Sequence, residues 1–177
     1  MKCIVCGRET GELSECPRCG FEVLEVLGEM TPELEKVHES YADRYRALYL
    51  GDIRLGVTVY EWKLGGEDEQ PEKTGESAAW FEPWKELPAG QISWIPETFR
   101  AAKTVDSVEL TIHIKKTGKR EALRPMRFST AGRGEEWQLG VRKELNGDVT
   151  FALGTAGRYQ KSETINLFDF LREAEAE

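Results

Sequence analysis

The chain reads as mainly β: a four-cysteine module at the N-terminus, one linking α-helix, then an antiparallel β-sandwich or barrel-like domain. Three observations carry that reading. All four cysteines fall within the first nineteen residues, as two Cys-x-x-Cys pairs. One stretch, roughly residues 32–50, repeats its apolar residues at helical steps. Beyond Asp52, short segments alternate apolar and polar residues with turn chemistry between them, the pattern of antiparallel strands. The corresponding divisions are 1–28 for the cysteine module, 29–51 for the linker and connecting helix, and 52–177 for the β domain. A chain of 177 residues has room for one sizeable domain with a small appendage.

The cysteine spacing is Cys3-x2-Cys6-x9-Cys16-x2-Cys19, and a glycine follows each pair, giving Cys-Ile-Val-Cys-Gly and Cys-Pro-Arg-Cys-Gly. Two intervening residues let both sulfurs of a pair reach one ion, and the glycine lets the backbone curl beneath them where a side chain would crowd it. Two such pairs supply four thiolates, which close the tetrahedral shell of Zn²⁺ and leave no open position for catalysis. A secreted disulfide scaffold would spread its cysteines along the chain, so this bunching suits a metal site in a reducing compartment.

Thr31-Pro32 marks the helix start, because Thr is a favoured N-cap and Pro a favoured first helical residue. Glu33 and Glu35 complement the helix dipole, and Gly51 closes the helix. Leu34, Val37, Tyr41, Tyr45 and Leu48 draw one apolar stripe. After it, Ile53, Leu55, Val57 and Val59 alternate with Arg54, Gly56, Thr58 and Tyr60 as a half-buried strand. Residues 65–76 form a polar, acidic loop. An aromatic-rich stretch follows (Trp80, Phe81, Trp84, Trp94, Phe99), interrupted by Pro83, Pro88 and Pro96. Val108, Leu110, Ile112 and Ile114 make the cleanest alternating strand. Trp137, Leu139 and Val141 predict another, and Val149, Phe151 and Leu153 a third, with a tight hairpin turn at Asn146-Gly147 between them. Residues 165–171 fit either a last strand or a short docked helix.

The two Cys-x-x-Cys-Gly knuckles resemble those of the zinc-ribbon family, over residues 1–27 alone. That resemblance implies one structural zinc held by Cys3, Cys6, Cys16 and Cys19, and a role in binding macromolecules. A rubredoxin-type iron site uses similar knuckles but more than nine residues between them, and a thioredoxin-like redox pair needs a βαβ context that is missing here. Residues 1–30 carry Lys2, Arg8 and Arg18 against six glutamates, and four thiolates on zinc add more negative charge. Phosphate contact needs cations, so the ribbon is expected to dock on protein or cap the chain rather than read DNA.

The net charge of −8 is unevenly spread. Residues 1–102 hold 11 Lys/Arg against 20 Asp/Glu, and residues 103–161 hold 12 against 7. Within the basic segment 115–127, Lys115, Lys116, Lys119 and Arg120 read as a hairpin tip projecting four cations, a candidate nucleic-acid contact that the overall charge disfavours. His38 and His113 read as surface or edge residues, and no Ser/His/Asp arrangement, spare cysteine nucleophile or placed carboxylate pair is found. Gly132-Arg133-Gly134 and 154–158 fit neither a P-loop nor a dinucleotide fingerprint. An enzyme whose site is assembled from distant residues stays open, as does sugar stacking by the tryptophans. The expectation is a non-enzymatic adaptor that binds a protein partner, its apolar contacts being Trp80, Trp84, Trp94, Leu167, Phe168 and Phe170. No apolar run approaches a membrane span, and no leader precedes the cysteines, which predicts a cytoplasmic protein without membrane contact.

Overall fold

The computed structural model describes residues 1–22, 28–63, 70, 72–94, 99–100, 107–129, 136–155 and 158–176. Pro96, the glycine run 132–134, residues 156–157 and most of the first half of the acidic loop lie outside them. Helix α1 spans Pro32–Leu50, and the Thr31 hydroxyl accepts from Leu34 N at 3.2 Å, the cap its sequence predicts. Gly51 follows in right-handed helical conformation, so glycine is needed there for space: a Cβ would collide with the Ala47 carbonyl.

The strands are β1 (Arg54–Lys63), β2 (Glu72–Pro83), β3 (Ser93–Trp94), β4 (Phe99–Arg100), β5 (Ser107–Lys115), β6 (Ala122–Ser129), β7 (Glu136–Lys143), β8 (Asp148–Thr155) and β9 (Arg158–Asn166). Strand β2 begins at Glu72, so the back half of the expected acidic loop is paired with β1. One sheet runs β2–β1–β5–β6 and the other β3–β7–β8–β9, with β4 also on β7, and all these pairs are antiparallel. The described strands form two separate antiparallel sheets and close no barrel.

The period-two pattern sends alternate side chains into one shared core. Leu55 and Val57 of β1, with Leu110, Ile112 and Ile114 of β5, are buried from one sheet; Leu139, Val141, Val149 and Phe151 are buried from the other. Phe81 and Phe151 meet edge-on across the sheets, their centroids 6.3 Å apart. Between β2 and β3, a short 3-10 turn (Trp84–Glu86) buries Trp84 beneath Lys143, whose ammonium lies 4.0 Å from the ring centroid and donates to the Trp84 carbonyl at 2.7 Å. Burial lowers the Lys143 pKa.

The ambiguity at 165–171 resolves inside the segment: β9 runs through Asn166, and helix α2 (Leu167–Ala176) starts at the next residue. Asn166 makes the switch. Its Oδ1 accepts from Phe168 N at 3.0 Å, as an N-cap does, while its Nδ2 donates to Asp148 Oδ1 at 2.9 Å. The Asn146-Gly147 turn packs on the same place, with Leu167 N donating to Gly147 O at 2.9 Å. Gly147 has φ +91°, and a Cβ there would sit 2.8 Å from the Phe168 ring. Gly147→Ala is therefore expected to cost roughly 2 kcal/mol, read as a lower urea midpoint with an unchanged slope.

Of the six expected contact residues, Trp84, Leu167, Phe168 and Phe170 are buried, so these four belong to the core and not to an exposed surface. Apolar content marked them, but Trp84 lies beneath Lys143, and Leu167, Phe168 and Phe170 belong to the buried core cluster. Helix α1 departs from expectation in the opposite sense. Of its predicted apolar stripe only Tyr45 is partly buried, and Leu34, Val37, Tyr41 and Leu48 are exposed. The helix packs on the body through Ala42, Tyr45 and Leu50 instead. No described helix is long and apolar enough to cross a membrane.

Candidate metal centre and sheet face

The two knuckles are built alike. In the first, Gly7 N donates to Cys3 O at 2.8 Å and Cys3 N to Arg8 O at 2.9 Å; in the second, Gly20 N donates to Cys16 O at 2.8 Å and Cys16 N to Phe21 O at 2.9 Å. Gly7 and Gly20 adopt φ +74° and +76°, the left-handed conformation that the glycine after each pair permits. The repeated turn aims four sulfurs at one point. All four lie within 4.8 Å of one another, with Cys3–Cys19 at 3.6 Å and Cys6–Cys16 at 3.5 Å. A disulfide needs about 2.05 Å. A tetrahedron with metal–sulfur bonds near 2.3 Å has edges of roughly 3.8 Å. The sulfurs stand at the second spacing, and the cluster can hold one metal ion.

Electrostatics point the same way. The thiols compete for protons at this distance. Cys3 is pulled down to about 2, first by its hydrogen bond with Cys19, whereas Cys19 is driven far up by its hydrogen bonds with Cys3 and Cys6. A bound cation would favour the thiolate forms of Cys3 and Cys19 over this competition.

Both helices hold this cluster in place. The Tyr45 hydroxyl of α1 donates to Cys19 O at 2.6 Å, and Arg46 Nε donates to Val5 O at 2.9 Å while its Nη2 reaches Ile4 O. From α2, Arg172 donates to Cys16 O at 3.2 Å, and Asp169 accepts from both Nε and Nη2 of Arg18 at 3.3 Å. Phe21 and Tyr45 meet edge-on at 5.1 Å, and Tyr45 reaches Phe168 at 6.4 Å. Burial above all pushes the Tyr45 phenol above its ordinary range, so it stays a donor. Tyr45, Arg46, Asp169 and Arg172 were not marked by the sequence, since nothing in their local pattern distinguishes a clasp from a solvated helix face.

A cleft of about 590 Å³ opens beside the second knuckle, lined by Arg18, Arg172, Tyr45, Tyr49, Lys116 and Lys119 among others. The basic hairpin tip is thus drawn inward. Lys116 Nζ sits 2.6 Å from Asp52 Oδ1, while Lys115 and Arg120 are exposed and Lys119 is half-buried. Partial burial opposes ionisation of Asp52, but the Lys116 ammonium prevails and lowers its pKa. The expected projection of four cations together is not what the hairpin presents.

The outer face of the first sheet carries the remaining polar and aromatic chemistry. Register aligns Trp80, Gly56, His113 and Leu123 in one row across β2, β1, β5 and β6. A Cβ on Gly56 would stand 2.7 Å from the indole, so glycine lets Trp80 lie over the neighbouring strand. Trp80 is 45% exposed and Leu123 53%, with Arg54 5.7 Å from the Trp80 ring centroid and the His113 ring at 5.9 Å. His113 is held from both sides, Nε2 by Thr58 Oγ1 at 2.6 Å and Nδ1 by Glu121 Oε1 at 2.8 Å. Its place on the polar strand face was expected; the Thr58–His113–Glu121 chain was not, because Thr58 is 55 residues from His113 and meets it only through the pairing of β1 with β5. Of the predicted contact tryptophans, Trp80 alone is exposed, and Trp94 is half-buried over Gly140.

No protein-family model matches this chain, and neither a curated protein nor a solved structure matches it.

Proposed function

We propose that the protein is a non-enzymatic zinc-ribbon adaptor that docks a protein partner on the outer face of its first sheet. The observation that carries this reading is the row Trp80–Gly56–His113–Leu123. It joins an exposed indole, an adjacent Arg54 and an exposed leucine on a face whose polar side chains are hydrogen-bonded to one another. Tryptophan and arginine anchors with a prearranged surround are what protein interfaces use for most of their binding energy. The metal centre supports a structural role. Its four donors are buried, so zinc there would have a closed shell and no place for substrate. The acidic ribbon and the Lys116–Asp52 pair weigh against nucleic acid as the main ligand. A reducing, cytoplasmic setting suits the free thiols.

Affinity purification of the full chain from cells that make it is expected to recover a stoichiometric protein in a salt-tolerant manner. Trp80→Ala should reduce that recovery by about tenfold or more. Charge reversal at Lys115, Lys116, Lys119 and Arg120 should leave it unchanged. Recovery that is nuclease-sensitive, falls steeply with salt and is lost on charge reversal would identify a nucleic-acid ligand instead.

A further inference from the structure

The cleft beside the second knuckle collects cations from three separate parts of the chain. Arg18 comes from the knuckle, Lys116 and Lys119 from the turn between β5 and β6, and Arg172 from α2. Among its described lining residues, Glu15 is the one acidic side chain. The chain as a whole holds 32 Asp/Glu against 24 Lys/Arg, so four cations to one carboxylate reverses the average surface. Like charges gathered around one cavity repel, and an anion placed among them relieves that repulsion.

The carboxylates that hold two of these cations stand outside the cleft. Asp52 meets Lys116 at 2.6 Å and Asp169 meets Arg18 at 3.3 Å, yet neither lines the cavity. Asp169 lines a second hollow that shares Arg18 with the first. Arg172 donates to the Cys16 carbonyl, which carries no net charge. An ammonium has three N–H donors and a guanidinium five, so these bonds fix Arg18, Lys116 and Arg172 in place and leave donors over.

Size and lining narrow the ligand. A volume of about 590 Å³ suits a small molecule, for which sites run roughly 300–1,000 Å³. A lone carboxylate engages fewer groups than the lining offers, and one phosphate carries only about −1.5 to −2. A chain of phosphates has the charge and the oxygens to meet all four cations. Beside them, the Tyr45 and Tyr49 rings stand 4.5 Å apart, and Tyr49 is 39% exposed, open to a planar group.

We propose that this cleft binds a small polyphosphate-bearing ligand, held by Arg18, Lys116, Lys119 and Arg172. The phosphate chain belongs to a nucleotide, whose base stacks on Tyr49, or to free inorganic polyphosphate. The proposal is independent of the sheet-face reading, since it uses a different surface.

The test is titration calorimetry of the full-length, zinc-loaded chain with ATP and, separately, with inorganic tripolyphosphate. Both are expected to bind with dissociation constants below about 1 mM, ATP about tenfold more tightly. Tyr49→Ala should erase that advantage and leave tripolyphosphate unchanged. Equal affinities in the parent chain would support the site and assign it to the inorganic chain. Lys116→Gln/Lys119→Gln should weaken both ligands about tenfold or more, with zinc content and melting temperature unchanged. Lys115→Gln/Arg120→Gln removes two cations of the same hairpin that do not line the cleft, and should change neither affinity. Equal losses in the two double variants would mean unspecific attraction and overturn the site, as would failure of both ligands to bind. Zinc assayed after each titration should stay constant, and heat that appears only with zinc loss reports chelation and overturns the proposal. A short single-stranded RNA that binds more tightly than ATP overturns the small-ligand assignment.

Discussion

Cys16→Ser is expected to abolish stoichiometric zinc and lower the melting temperature by roughly 10 °C or more. Cys16 is fully buried, and its sulfur stands 3.5 Å from that of Cys6. Structural zinc contributes apparent binding free energies of roughly 10 kcal/mol or more in small modules at neutral pH, and that free energy is folding free energy. The loss would spread beyond the knuckles, because Tyr45, Arg46, Arg172 and Asp169 all clasp the module and lose their partners with it. Elemental analysis of the native chain should give about one equivalent of zinc. Iron in its place, or a Cys16→Ser variant that melts like the parent, would overturn the structural-zinc assignment.

Phe168→Ala should be the most damaging single change away from the cysteines, costing about 3–5 kcal/mol. The ring is 2% exposed, fills the space beneath Gly147, and touches the Tyr45 ring at 6.4 Å. It thus joins three parts: the β7–β8 turn, α2 and the face of α1 that carries the metal module. Removing it leaves a cavity at their meeting point, and the turn cannot collapse into it because Leu167 N and Asn166 pin the backbone. Chemical denaturation should show the lower midpoint, while zinc stays near one equivalent because no sulfur moves. A loss below about 1 kcal/mol would mean that the three parts do not depend on this ring.

How much of this could be read from residues alone follows from the range of each signal. The cysteine knuckles are local: four residues and a glycine state the turn, the donor and the spacing, and the structure brings the four sulfurs together. Alternation in 53–59 and 108–114, and the Asn146-Gly147 turn, are equally local, so the strands and their hairpin were legible. The orientation of α1 was not. Periodicity identifies an apolar stripe but not whether the body covers it, and Ala42 and Leu50, two residues outside the stripe, turned out to set the packing face. The same limit misplaced Trp84, Leu167, Phe168 and Phe170. An aromatic in a short segment can face a partner or the core, and only tertiary packing, Lys143 on Trp84 and the Gly147 turn on Phe168, decides between them. The Thr58–His113 link depends on the register of β1 against β5, which no window of sequence contains.

The clasp around the cysteines also imposes an order of assembly. Arg18 is 151 residues from Asp169, and the Cys16 carbonyl is 156 residues from Arg172. At synthesis rates of about 5–20 residues per second, the knuckles leave the ribosome roughly ten seconds or more before α2 exists to cover them. The two knuckles can therefore fold as an open loop pair first, and the helix whose Arg172 and Asp169 clasp them is the last element made.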